Sequence, residues 1–176
     1  RVLAHISGDE GLIKSFINNE DIHRRTASEV FGVDSDLVSP LMRSRAKAVN
    51  FGIVYGISDF GLSRDLKIPR KEAKLYIDNY FDRYPLVKKY MEDIVKEGKE
   101  KGYVTTILNR IRYIPELSSS NAVQRNFGER MAMNTPIQGS AADIIKIAMV
   151  SVYKELKARR MKSRLILQIH DELIVE

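Results

Sequence analysis

Residues 43–56 read RSRAKAVNFGIVYG, and the spacing in this stretch decides how the chain is read. Arg43, Lys47, Phe51 and Tyr55 recur every four residues. Four residues advance an α-helix by about 400°, so each side chain lies about 40° from the last and all four share one slowly drifting face. Two cations followed by an aromatic ring and a phenol suit a ligand that is polyanionic at one end and planar at the other. A nucleoside triphosphate has that shape. Gly52 and Gly56 fall inside the run, although glycine costs a helix interior about 1 kcal/mol relative to alanine. Close approach by something bulky is one reason to keep them. An ordinary amphipathic helix, with Arg and Lys outside and Val and Ile inside, fits the same residues, but it does not require cations and rings on one side.

The surrounding composition is consistent with that ligand. The chain has 176 residues and 44% apolar content, enough for one or two compact units. A net charge of +6 and a pI near 9.5 lean towards a polyanionic partner. There is no cysteine, which excludes disulfides and thiolate metal sites. Nothing resembles a secretory signal or an 18-residue apolar span, so a cytoplasmic setting without a membrane partner is expected. The chain starts at Arg1 in an apolar run and stops at Glu176 in an expected strand. It is therefore read as an internal piece of a longer protein.

Along the chain, residues 2–6 read as a helix end and residues 10–18 as a second helical stretch. Asp21 opens a helix stopped by Gly32. Ser39-Pro40 is an N-cap followed by proline at the first helical position. Pro69 opens a helix that ends before Pro85, and Pro85 opens another that runs towards Gly98 or Gly102. Residues 103–106 and 112–114 flank Asn109 as a short hairpin. A helix is expected from about Ala122 to Met133. It is interrupted at Asn134-Thr135-Pro136 and resumes after Gly139 to about Arg160. Residues 165–169 and 173–175 are apolar strands.

Between those last strands stands His170-Asp171-Glu172. Adjacent carboxylates repel unless a cation joins them, and hard divalent ions take carboxylate ligands while leaving positions for substrate phosphates. A solvated acidic turn fits equally. A third set, Arg130, Asn134 and Gln138, is again spaced by four. These side chains can bind phosphate or base edges, or can form a plain polar stripe.

Taken together and in this order, the three sets resemble a known family. Arg43-x3-Lys47-x3-Phe51-Gly52-x2-Tyr55-Gly56 resembles motif B of the family A DNA polymerases, the bacterial DNA polymerase I type. Residues 168–176, QIHDELIVE, resemble their motif C. Glu129-Arg130-x3-Asn134-x3-Gln138-Gly139 with Ala141-Ala142-Asp143 resembles the segment between. Residues 1–8 and Asp21-Ile-His23 resemble stretches after motif A. The resemblance covers essentially the whole chain.

The resemblance implies an α+β, mostly helical chain: fingers helices plus part of a palm with a C-terminal β-hairpin, an incomplete polymerase right-hand fold. Residues 1–20 would be a palm-to-fingers helix, 21–115 the fingers subdomain, and 116–176 a palm portion with the motif C hairpin. It implies template-directed DNA synthesis on primer–template DNA from dNTPs, by a two-metal mechanism with two Mg²⁺ ions. Arg43 and Lys47 would hold the triphosphate, and Lys47 would also protonate the leaving pyrophosphate. Phe51 would lie against the sugar and base and discriminate against dideoxynucleotides. Tyr55 would occupy the insertion position beside the templating base. Asp171 would be a metal ligand and Glu172 a lesser catalytic carboxylate. His170 would contact the primer end. Arg110, Arg130, Asn134 and Gln138 would face the duplex. A monomer associated with the nucleoid is expected.

Motif A, with the other metal-binding aspartate, would lie before Arg1, so the 176 residues alone are expected not to polymerise. Ile111 stands where the family is often basic, which weakens the duplex contact there. Three other readings remain open on the residues: a single-subunit RNA polymerase, an inert palm–fingers module that only binds nucleic acid, and a helical scaffold unrelated to nucleic acid.

Overall fold

Short polar caps punctuate a mostly helical chain. The computed structural model describes Arg1–Glu176. Eight α-helices run in order: α1 (Val2–Ser7), α2 (Glu10–Ile17), α3 (Ile22–Phe31), α4 (Pro40–Val54), α5 (Asp59–Leu66), α6 (Arg70–Arg83), α7 (Pro85–Lys101) and α8 (Ala122–Ala158). Two antiparallel hairpins are inserted, β1 (Tyr103–Thr105) with β2 (Ile111–Tyr113) and β3 (Leu165–Ile169) with β4 (Glu172–Val175). The mostly helical α+β class expected above is what is found. No helix is long and apolar enough to cross a membrane.

Most helix starts have a local chemical cause. Ser39 Oγ accepts from the Met42 amide and Pro40 takes the first helical position, so α4 begins where the sequence places it. Asp21 and Asn121 cap α3 and α8 in the same way. Pro69 differs from expectation: it sits just outside α6, as the residue before the helix. Residues 1–20 are not one helix. Gly8 turns with φ +67°, and Asp9 Oδ1 accepts from the Leu12 amide at 3.1 Å to start α2 afresh. Sequence reading passed over α5, although Ser58, which caps it, precedes Leu62 and Leu66 at helical spacing.

The largest correction concerns α8. Pro136 does not interrupt it: the helix is continuous for 37 residues. Proline costs a helix interior about 3 kcal/mol. Here the turn around it is the most buried part of the helix, with Ala132, Thr135, Pro136, Ile137 and Ser140 all inside. Tertiary packing on both sides outweighs the local penalty.

The main core joins α1 to α7 and the middle of α8 through Leu3, Leu12, Val49, Ile53, Leu62, Tyr80, Tyr84, Val87 and Ile137. The Tyr80 and Tyr84 rings pack tilted to one another with centroids 4.9 Å apart, and the buried Tyr84 hydroxyl donates to Glu29. A smaller cluster of Val104, Ile114, Leu117 and Ala132 fixes the first hairpin against α8. Beyond Asp143 the helix carries Ile144, Ile147, Val150 and Tyr153 exposed, and the β3–β4 hairpin is also exposed.

Candidate nucleotide and nucleic-acid interface

α4 presents Arg43, Lys47 and Phe51 at spacing four, and Tyr55 follows as its C-cap. Val49 and Ile53 on its opposite side are buried in the core, and Ala46 is buried under α3. That burial fixes the helix's rotation. Lys47, Phe51 and Tyr55 are exposed and Arg43 is half-buried. The Lys47 ammonium lies 5.8 Å from the centre of the Phe51 ring, within the reach of a cation–π contact. Phe51 and Tyr55 are each 50% exposed.

The end of α4 is bonded to α8. Asn134 Nδ2 donates to the Val54 carbonyl at 3.1 Å, one of the carbonyls a helix C-terminus leaves unpaired. Gln138 Nε2 donates to the Tyr55 hydroxyl at 3.0 Å. Between the helices lies a cleft of about 570 Å³ lined by Phe51, Gly52, Tyr55, Arg112, Arg130 and Asn134, among others. So the structure brings Phe51 and Tyr55 of the first set together with Arg130, Asn134 and Gln138 of the third. A larger cavity, about 770 Å³, lies behind Gly56 among Ile53, Phe81, Met91 and Val95. It holds none of the expected site residues.

His170, Asp171 and Glu172 stand apart from that cleft. His170 (φ +51°) and Asp171 form the two-residue tip of the β3–β4 hairpin, and Glu172 opens β4. All three are exposed, no hydrogen bond or ion pair joins them to α4, and they do not line the cleft. No group of three or more histidine or acidic residues converges to hold a metal.

Arg110 has a role inside the chain. Its Nη2 lies 2.8 Å from Asp143 Oδ1 and donates to the Gly139 carbonyl at 2.9 Å. Asp143 is buried, and its Oδ2 has no partner. Arg110 therefore staples the first hairpin to α8, aided by the Ile107 amide donating to Ser140 Oγ at 3.0 Å. Half of the Arg110 side chain stays exposed. Arg112 takes a comparable position in the cleft, its Nη1 donating to Thr135 Oγ1 at 3.1 Å.

Sequence reasoning gave no role to the polar residues that α3 and its cap contribute beside the exposed face of α4. Asp21 Oδ2 accepts from Arg43 Nε at 2.7 Å. Asn50 Nδ2 donates to Thr26 Oγ1 at 3.0 Å and lies 3.1 Å from His23 Nδ1. An amide nitrogen only donates, so His23 Nδ1 accepts and the ring proton sits on Nε2. The His23 ring is 6.0 Å from Phe51. Burial, then the nearby Arg43 and Lys47 cations, lower its pKa below the ordinary histidine value. The Arg43 guanidinium holds the Asp21 carboxyl below the usual carboxylate range. Asn50 was the available signal, a polar residue within an otherwise apolar helix flank.

Comparisons with known proteins place the chain in a family. A family model described as DNA polymerase family A matches residues 1–176. DNA polymerase I of Bacillus subtilis is 62% identical over 176 residues, which is 100% of this chain and 20% of that protein. DNA polymerase I of Caldicellulosiruptor bescii is 60% identical over 100% of this chain and 21% of its own length. Among solved structures, the POL domain of Pol1 from M. smegmatis, in complex with DNA primer-template and dNTP, superposes with a TM-score of 0.95 at 48% identity. That match covers 99% of this chain and 31% of that one. The chain spans about a fifth of the length of the curated relatives it matches.

Proposed function

Because the chain belongs to DNA polymerase family A, we propose that it supplies the nucleotide-binding face and part of the duplex-binding face of a DNA-directed DNA polymerase. The parent enzyme adds dNTPs to a primer 3′-hydroxyl and releases pyrophosphate. Its partners are primer–template DNA and dNTPs, as the likeness to a polymerase holding both supports. Residues 21–115 are then fingers, 116–176 palm, and 1–20 the segment joining them. The RNA polymerase and scaffold readings give way to the family match.

One observation carries the proposal. Arg43, Lys47, Phe51 and Tyr55 run along one face of α4 whose end is bonded to Asn134 and Gln138 of α8, so a nucleotide and a duplex would meet across a single cleft. Arg43 and Lys47 take the triphosphate, and Lys47 gives a proton to the departing pyrophosphate. Phe51 packs on sugar and base, and Tyr55 stands beside the templating base. Arg130, Asn134 and Gln138 line the duplex. Arg110 contributes there through its exposed half, and His170 meets the primer end.

Asp171 and Glu172 are hard oxygen donors on one exposed tip, which fits partial ligation of a magnesium ion that keeps positions for phosphates. Asp171 would hold it, with Glu172 beside it. When bound, two such ions lower the charge barrier to attack on the α-phosphate. Two carboxylates on adjacent residues do not complete a two-ion site, and the 176 residues alone are inactive in this reading.

Two variants of the parent polymerase test the assignment. At about 4 Å and an effective dielectric near 20, a cation–phosphate pair is worth about 4 kcal/mol before desolvation. Lys47→Ala should therefore lower kcat/KM for dNTP by about 100-fold or more; an unchanged value refutes the phosphate role. Asp171→Asn should abolish synthesis and leave primer–template binding intact. Loss of binding in step with activity would overturn the metal assignment.

A further inference from the structure

Arg43 is already occupied. Its Nε donates to Asp21 Oδ2 at 2.7 Å, and both side chains keep about two-fifths of their surface exposed. The other Asp21 oxygen, Oδ1, accepts from the backbone amides of His23 at 3.0 Å and Arg24 at 3.1 Å, capping α3. One carboxylate thus serves two purposes, and the cap fixes where its second oxygen points. To follow a moving guanidinium, Asp21 would have to uncap its helix. The backbones cannot separate easily either, because Asn50 bonds Thr26 and His23 two turns further along α4. The Arg43 side chain is the mobile member of the pair.

We propose that Asp21 is an internal competitor for Arg43. It holds the guanidinium while no nucleotide is bound, yields it to a triphosphate, and reclaims it when pyrophosphate leaves. The proposal rests on reading Arg43 as a triphosphate ligand. A carboxylate held beside that cation occupies a guanidinium donor that an arriving phosphate would otherwise take. Asp21 therefore weakens the ligands that reach Arg43 and leaves shorter ones untouched. It sets how readily a triphosphate or pyrophosphate dissociates.

Asn caps a helix as well as Asp does, so Asp21→Asn removes the charge and keeps the start of α3. Binding of dATP, dAMP and inorganic pyrophosphate to the 176-residue chain is read by NMR titration, which also follows the Arg43 Nε–H signal. Asp21→Asn should tighten dATP and pyrophosphate about two- to fivefold, the span of an exposed ion pair, and leave dAMP unchanged. On an Arg43→Ala background it should change nothing. Asp21→Ser, a second capping residue, should repeat the result, and thermal melts report whether the cap survives. Unchanged or weaker dATP binding in Asp21→Asn overturns the competitor role. So does equal tightening on the Arg43→Ala background, which would make the effect one of general charge. If Arg43→Ala binds dATP as the unmodified chain does, the triphosphate role of Arg43 fails first, and the competitor with it.

Discussion

Gly56→Ala separates two penalties that meet at the turn after α4. Gly56 has φ +63°, a left-handed conformation that costs an L side chain about 1 kcal/mol. An added Cβ would also stand 2.7 Å from Met133 Cε and 3.2 Å from Arg130 Cγ, both on α8. Overpacking of this kind costs about 1–3 kcal/mol. The low end applies here, because methionine is flexible and the cavity of about 770 Å³ adjoins its side chain. The sum is about 2 kcal/mol, and a chain of this size loses about 4–8 °C of Tm for that amount.

Gly8→Ala is the matched control. Gly8 has φ +67° and an added Cβ meets nothing within 4 Å, so it pays only the conformational part, about 1 kcal/mol or 2–4 °C. Urea melts followed by far-UV circular dichroism give both values, and an unchanged m-value shows that the same unfolding is compared. The difference between the two variants measures how tightly the turn is pressed against α8. Equal losses would mean that the turn does not bear on α8, and the cleft between the helices would lose its rigid wall.

Other outcomes follow from the same geometry. His23 should titrate below the ordinary value near 6.5 by NMR. Its contribution to stability is then complete above about pH 6.5 and is lost as pH falls through the folded-state value; a His23 pKa at or above 6.5 would refute the burial and the neighbouring cations as its cause. Arg110→Met leaves the buried Asp143 without its cation and should cost about 1–2 kcal/mol in a urea melt. A melt identical to that of the unmodified chain would show that Arg110 is not a staple.

Much of this was legible in local chemistry. Ser39-Pro40 and Asp21 announce helix starts because a short polar side chain beside an unpaired amide is a local event. Gly32 and Gly102 mark ends for a comparable reason. The four-residue spacing on α4 placed Lys47, Phe51 and Tyr55 correctly on an exposed face. What was not legible depended on distant partners. Pro136 reads as a break, and only the burial of Ala132, Ile137 and Ser140 around it keeps α8 whole. Arg110 reads as a free cation until Asp143, 33 residues away, is brought to it by the first hairpin. Arg43 and Asp21 are 22 residues apart and both carry plausible separate roles. No periodicity connects them.

The two side-chain amides that α8 extends to the end of α4 act as a latch of defined strength. A single neutral hydrogen bond contributes about 0.5–1.5 kcal/mol net, so each catch springs open for a sizeable fraction of the time even at rest. Yet Asn134 and Gln138 sit one turn apart on the same helix, so both must let go before that face of α8 parts from α4. Such a joint holds its setting against thermal noise and can still be reset by a ligand that offers a few kcal/mol.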